Sequence, residues 1–337
     1  MKVYAIKNKD NDIRKESSSG GVFSLIASCF LQNGGVVYGA SFDNEFVVKH
    51  TRICRVDDLY KLRGSKYVQS KMGDTYKNVV FDLKNGKSVL FSGTPCQVQG
   101  LKMLVLQLGL DTGLYVVDIV CHGVPSPKIF KEYLDYKTRI ENKSIKEINF
   151  RNKKFKWKEC RATIRFNKDS KIINMSEWTR LFYGHEILRK SCYCCKFTNL
   201  NRTGDITLGD FWGIERSNPS FYDDMGVSLC LINSEKGEEL FSKISANCYW
   251  VEEQIEHTEQ PQLYKPVRVP VLRKVFWWIY DKKGADYIFK TLANNKGIYS
   301  AIARLLLNIK KNIKKVFVLL NIKEGECYES KKTNKSQ

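Results

Sequence analysis

Two short apolar runs, KSVLFSG (87–93) and LYVVDIV (114–120), flank a helix-like stretch, VQGLKMLVLQLG, and constrain the fold more than any other feature. Neither run alternates polar with apolar residues, which marks strands covered on both faces. Turn signals bound both, and the stretch between them is long enough for a helix ending at glycine. Strand, helix, strand in that order predicts neighbouring parallel strands joined by a right-handed crossover. Earlier, GGVFSLIASCFLQNGG (20–35) reads as a helix closed by glycines, VVYGASFD as a strand, and a second strand near VVKHTRI precedes the loop KLRGSKYVQS. From 145 to 174 the segments INFRNK and CRATIRFNKDSKIINM are hairpin-like. The expected fold class is α/β: a core sheet containing parallel strands with helices on both faces, a β-rich insertion at about 145–180, and a basic helical region at the C-terminal end.

Cysteine placement carries the chemistry. The first crossover strand runs into Thr94-Pro95-Cys96-Gln97, the second into Cys121-His122-Gly123. Both cysteines then stand just past the carboxyl ends of parallel strands, the edge where open α/β sheets bind ligands. Neighbouring strands lie about 4.8 Å apart, so the two thiols can approach one centre. Further on, SCYCC supplies Cys192 and Cys195 at C-x-x-C spacing. Four thiolates suit an iron–sulfur cluster or a structural zinc, and soft sulfur ligation alone does not choose between them. Zinc sites usually pair C-x-x-C knuckles close in sequence, whereas two ligands here are distant singletons, which favours a cluster. A thioredoxin-type dithiol needs its C-x-x-C where a strand enters a helix, and this one runs through a loop into a strand. Cys29, Cys54, Cys160, Cys230, Cys248 and Cys327 lack partner spacing and read as small hydrophobes.

The start of the chain has no apolar secretory core and no window is long and apolar enough to span a bilayer, so a cytoplasmic setting with reduced thiols is expected. The net charge is +20, yet 265–337 holds 17 Lys/Arg against 5 Asp/Glu. The basic character therefore belongs mainly to a C-terminal region, read as separate from a catalytic domain at 1–264. Its stretch 297–320 has apolar residues at helical spacing with lysines between them, fitting a helix on an anionic membrane surface, on an acidic partner, or on its own domain. The last residues read as a disordered tail. Specific nucleic-acid binding is not expected, since no RNA or DNA motif accompanies the charge.

SSSGGVFS, GSKYVQS, LFSGTPCQ, DIVCHGVPSP, FRNK and SCYCCKF followed by R-x-GDITLGDFWG occur in the order and approximate spacing of one family. Over most of its length the chain resembles the coenzyme F420 hydrogenase/dehydrogenase beta subunit family. The resemblance implies an FAD beside a 4Fe–4S cluster, exchanging hydride with a soluble carrier such as coenzyme F420 and single electrons with a ferredoxin or partner redox subunit. It implies Cys96, Cys121, Cys192 and Cys195 as cluster ligands, with Cys194 a competitor or spectator. It further implies that Ser18, Ser19, Gly20 and Gly21, the loop Gly64, Ser65, Lys66 and Tyr67, and Thr94 and Gln97 help to hold the flavin. Small residues opening a helix offer free N–H groups to a pyrophosphate, although SSSGG alone reads as a serine N-cap. His122 is the candidate proton donor, and Asp205 and Asp210 read either as strand-end turn residues or as acids that orient the cysteine loop, the second being favoured. Many relatives carry a ferredoxin-like segment with two further clusters; none precedes 1–14, so electrons are expected to pass to a separate protein, with the basic C-terminal region as its docking surface. A zinc-stabilised transferase of polysaccharide biosynthesis and a basic binding module are the other function classes.

Overall fold

The computed structural model describes residues 1–167 and 171–293. β1 (Lys2–Asn8), α1 (Asn11–Glu16) and α2 (Val22–Gln32) lead into the hairpin β2 (Val36–Phe42) and β3 (Val48–Ile53). α3 (Thr75–Lys84), β4 (Val89–Gly93), α4 (Pro95–Gln107) and β5 (Leu114–Ile119) follow. α5 (Pro127–Glu141) enters a small sheet of β6 (Ile145–Asn149), β7 (Thr163–Phe166) and β8 (Ile172–Asn174), after which comes α6 (Ser176–Tyr183). The chain then forms β9 (Ile206–Asp210), α7 (Ile214–Ser217), β10 (Ser228–Ile232), α8 (Glu235–Ile244), β11 (Cys248–Glu252) and α9 (Arg273–Tyr287).

The main sheet has the order β11-β1-β10-β9-β5-β4-β2-β3. Its centre is parallel: β2 with β4, β4 with β5, and β5 with β9. Antiparallel pairs close both sides. The expected crossover is present, with Phe91 opposite Val116 and Gly93 opposite Asp118. Alternate residues of the apolar strands feed opposite faces. Val36, Tyr38, Val89, Phe91, Leu114 and Val116 pack against Val79, Val98 and Leu101 of α3 and α4. Val37, Leu90 and Val117 pack against Ile26 of α2 and Leu240 of α8. Burial on both faces is why these runs show no polar alternation.

The small sheet is antiparallel and shares its core with α5, α6 and α9. The sequence 297–320, read as an amphipathic helix, lies outside the described residues. The described part of the C-terminal region is no loose appendage, since Phe276 and Phe289 are fully buried. Phe289 meets Tyr133 of α5 edge-on at 5.0 Å, and Tyr280 donates a hydrogen bond of 2.6 Å to Glu132. Among the described residues no helix is long and apolar enough to cross a membrane.

Removing a buried aromatic loses its transfer free energy and leaves a cavity, so Phe276→Ala is expected to cost about 3–5 kcal/mol. Urea unfolding checks this, and Lys274→Ala on the exposed side of α9 is expected to change stability by less than about 0.5 kcal/mol.

Candidate functional site

Parallel strands deliver their carboxyl ends to one edge, and there the chain encloses a cavity of about 830 Å³. Its walls include Ser18, Ser19 and Gly21, the loop 64–67, Thr94, Cys96 and Gln97, and Cys121 and His122. Gly20 stands just outside the lining. A Cβ on Gly20 would lie 2.2 Å from the Ile6 carbonyl oxygen, so this glycine lets the turn press against the sheet. Cys192 and Cys195 also lie outside the cavity lining, in the adjoining turn.

The two loops expected to cooperate do meet. Ser65 donates from its backbone N–H (2.7 Å) and from its hydroxyl (2.9 Å) to Ser18 Oγ. The serine N-cap reading of SSSGG does not hold. The cap of α2 is Gly21 in the left-handed region (φ 85°), with no side chain bonded to the first turn. The serines are engaged elsewhere: Ser19 bonds the Val227 carbonyl, and Ser17 the Ile13 carbonyl. The uncapped first turn of α2 therefore borders the cavity, with Arg63 Nε donating to Ser24 Oγ at 3.2 Å beside it. Lys66 Nζ reaches four backbone carbonyls, those of Lys61, Leu62, Arg63 and Gly64. Burial pushes its pKa down to about 7, while the carbonyls around it favour keeping the proton.

At the end of β4, Thr94 and Gln97 cap α4, with the Thr94 N–H donating to Gln97 Oε1 at 3.0 Å and Pro95 in the first turn. Thr94 Oγ1 lies 3.2 Å from Cys96 Sγ. Gln97 Nε2 donates to Ser70 Oγ, which lies 2.9 Å from His50 Nδ1. His50 Nε2 lies 2.9 Å from the Ser92 carbonyl oxygen, so Nε2 carries the proton and Nδ1 accepts.

Three segments clip the cysteines together. Arg189 N–H donates to the Val124 carbonyl (3.0 Å), and Cys192 packs against Gly123, whose φ of 112° admits no ordinary side chain. Lys102 Nζ of α4 donates to the Thr203 carbonyl (2.9 Å). Burial pushes the Cys121 thiol up to about 12, and the charges of Cys192, Cys96 and Cys195 all add to that rise. Cys121 is thus within electrostatic reach of the other three thiols.

The family model for the C terminus of the coenzyme F420 hydrogenase/dehydrogenase beta subunit matches residues 86–258, and the model for the N-terminal part of the same protein matches 3–77. The chain belongs to the coenzyme F420 hydrogenase/dehydrogenase beta subunit family. A chain of the F420-reducing [NiFe] hydrogenase complex from Methanosarcina barkeri shares the fold, with a TM-score of 0.55 and 19% identity over 88% of this chain and 94% of that one. No curated protein sequence matches. The family places the chain among oxidoreductase subunits linked to coenzyme F420.

The structure brings some of the expected site residues to the cavity and leaves others elsewhere. His122 lines the cavity, and its Nε2 lies 2.9 Å from Nε2 of His185, a residue the reading missed. Burial pushes His122 down to about 4, and His185 adds to the shift. Asp210 pairs with Arg151 of the FRNK segment at 2.6 Å and accepts from Trp157 Nε1 at 2.7 Å. Asp205 takes the strand-end place: it accepts from the Val116 N–H (2.8 Å) and from Ser234 Oγ (2.7 Å), neither of them in the cysteine loop. Orienting that loop falls to Asp118, read only as a strand residue. Its Oδ2 accepts from Thr203 Oγ1 (2.9 Å) and Gly204 N–H (3.2 Å) and pairs with Arg202 at 3.3 Å. Arg202 in turn donates to the carbonyls of Phe197, Asn199 and Ile119. Cys160, read as a core hydrophobe, lines the cavity with a left-handed φ of 49°.

The Asp118 and Arg202 side chains are 0% and 1% exposed. Asp118→Asn leaves the guanidinium buried without its counter-charge, with an expected cost of about 3–5 kcal/mol in urea unfolding. His50 gives a pH signature. Burial pushes it from 6.5 down to about 4, so the folded ring stays neutral where the unfolded one takes a proton. Its contribution, about 3 kcal/mol, is complete above pH 6.5 and lost as pH falls toward 4. The stability difference between the wild type and His50→Gln is expected to shrink over that window.

Proposed function

We propose that this chain is an iron–sulfur flavoprotein oxidoreductase that passes electrons between a hydride carrier, coenzyme F420 or a similar deazaflavin, and a one-electron protein partner. The observation that carries the reading is the cavity, which puts Cys96 and Cys121 in one wall, with Cys192 packed against the adjoining Gly123, and an uncapped helix N-terminus in another.

The residues fit both groups. A diphosphate suits the first turn of α2, where unbonded N–H groups and the positive helix end face the cavity beside Arg63 and Lys66. Ser18 and Ser65 fix the approach of the loops to that turn, and Gly21 supplies the left-handed φ of 85° that the turn needs, packed against Asn8. The aromatic face of Tyr67, stacked on Phe182 at 4.7 Å, offers a flat wall for a ring system. Cys96, Cys121, Cys192 and Cys195 would hold the 4Fe–4S cluster. Zinc with bonds of about 2.3 Å would draw four sulfurs to within about 4 Å of one another. Two of the four cysteines here are singletons far in sequence from the C-x-x-C pair, an arrangement that favours a cluster over one zinc ion.

Flavin and cluster, when bound, supply the conversion between a two-electron hydride and single electrons. The chain's residues do the rest. The buried Arg151–Asp210 pair ties the insertion to the carboxyl end of β9 and shapes the cavity wall. His122 and His185 face each other through Nε2 atoms, so at most one of those atoms carries a hydrogen, and the pair can accept or release one proton at the cavity. This reading assigns the activity to a catalytic domain at 1–264 and the setting to the cytoplasm.

Protein purified without oxygen is expected to be brown, with a flavin band near about 450 nm over a broad shoulder that dithionite bleaches, and with iron, sulfide and flavin in the assay. Cys121→Ser is expected to lose the iron, whereas Cys230→Ala, fully buried away from the cavity, keeps it. A colourless protein that holds zinc after reconstitution overturns the reading.

A further inference from the structure

The three segments that carry the thiols share a property unrelated to ligation. Residues 94–110, 119–131 and 187–204 together hold seven Lys/Arg and no Asp or Glu, although acids stand immediately outside all three, at Asp111, Asp118, Glu132, Glu186 and Asp205. The structure gathers these segments. Leu188 bridges Pro125, Arg202 reaches the Ile119 carbonyl, Thr203 Oγ1 the Pro95 carbonyl, and Lys102 the Thr203 carbonyl. The acid-free stretches thereby become one continuous surface.

That surface is also where the thiols come closest to solvent. Cys96 and Cys194 are exposed, and Cys96, Gly100 and Met103 form an exposed stripe along α4 at helical spacing. Lys190 and Lys196, each within two positions of a thiol, are exposed and have no ion-pair partner among the described residues. Lys15 with Asp12, Lys61 with Asp58 and Lys77 with Asp74, by contrast, each have a carboxylate that neutralises them locally. Unpaired cations around an exposed stripe with an apolar residue make a surface that attracts an acidic protein and leaves little to neutralise before contact.

We infer that the face built by Lys190, Lys196 and the Cys96–Gly100–Met103 stripe of α4 is the docking site for an acidic one-electron carrier, a small iron–sulfur protein. This rests on the reading that single electrons leave through a thiol-bound cluster, and it moves the docking surface from the basic C-terminal region to the cysteine turn. One hydride taken from the carrier coenzyme gives two electrons and a proton. Two visits by the oxidised partner remove the electrons, one each, and the proton goes to solvent.

The test is binding of the full-length protein to an acidic two-cluster ferredoxin, followed calorimetrically at low and high salt. Lys190→Glu with Lys196→Glu is expected to weaken the complex by about tenfold or more at low salt, and added salt to weaken the wild-type complex toward the same value. Lys84→Glu with Lys87→Glu, at the opposite end of β4, is the control and is expected to leave affinity unchanged. Equal loss in both variants, or no loss in the first, overturns the inference. So does stronger binding to phosphatidylglycerol vesicles or polyuridylate with the same dependence on Lys190 and Lys196, which would make the face a general polyanion site. Iron content, measured on the same samples, separates failure of docking from failure of the cofactor reading.

Discussion

The site hangs on a charge pair that water does not reach. Asp118, in the strand whose end carries Cys121, and Arg202, in the loop that follows Cys195, are almost wholly buried. Two ions removed from water cost several kcal/mol each unless their remaining hydrogen bonds are made. Here they largely are: the guanidinium serves three backbone carbonyls and Thr207, and the carboxylate takes a hydroxyl and a backbone N–H. A loop without regular structure would otherwise leave those carbonyls unpaired. The pair therefore fixes the conformation of the cysteine loop and its placement against the sheet edge at once. Neutral residues would pack as well, but they would not specify one loop geometry.

A second tie comes from the insertion. The FRNK segment sends Arg151 to Asp210 and Lys153 to the carbonyls of Arg14, Ser19 and Met225. One short run thus braces the end of β9 and the turn entering α2, two walls of the same cavity. Burial pushes Lys153 down to about 7, and three carbonyl oxygens at its ammonium group offset that cost. The insertion is in this sense a clamp on the cavity as well as a lobe with its own core.

Much of this could be read from the sequence, for reasons that differ by residue. The parallel strands were legible because burial on both faces removes polar alternation from KSVLFSG and LYVVDIV. The loops holding Ser18 and Ser65 were legible as loops because glycine marks them. What escaped depended on partners far away in the chain. Asp118 looks like any strand residue until Arg202 is seen beside it, and Asp205 looks like a loop-orienting acid until its bonds to Val116 and Ser234 are seen. Gly21 displaced the serines as the α2 cap because those hydroxyls found other carbonyls. The region from 265 on read as separate from the catalytic domain because its lysines are local, whereas the core that Phe276 and Phe289 complete draws on α5 and α6.

The position of β1 has a consequence for how the chain reaches this state. The first strand lies between β10 and β11, pairing Tyr4 with Cys230 on one side and Glu252 on the other. Both neighbours are made more than 200 residues later. As the chain is synthesised, β1 has no strand to pair with until the sheet is nearly complete, and the turn at Ser19 and Gly20 waits with it for Val227 and Ser228. Contacts of such separation close slowly and leave apolar strand edges open in the meantime. Assembly of the cavity is therefore a late event in biogenesis, completed only when the first strand pairs with strands made last.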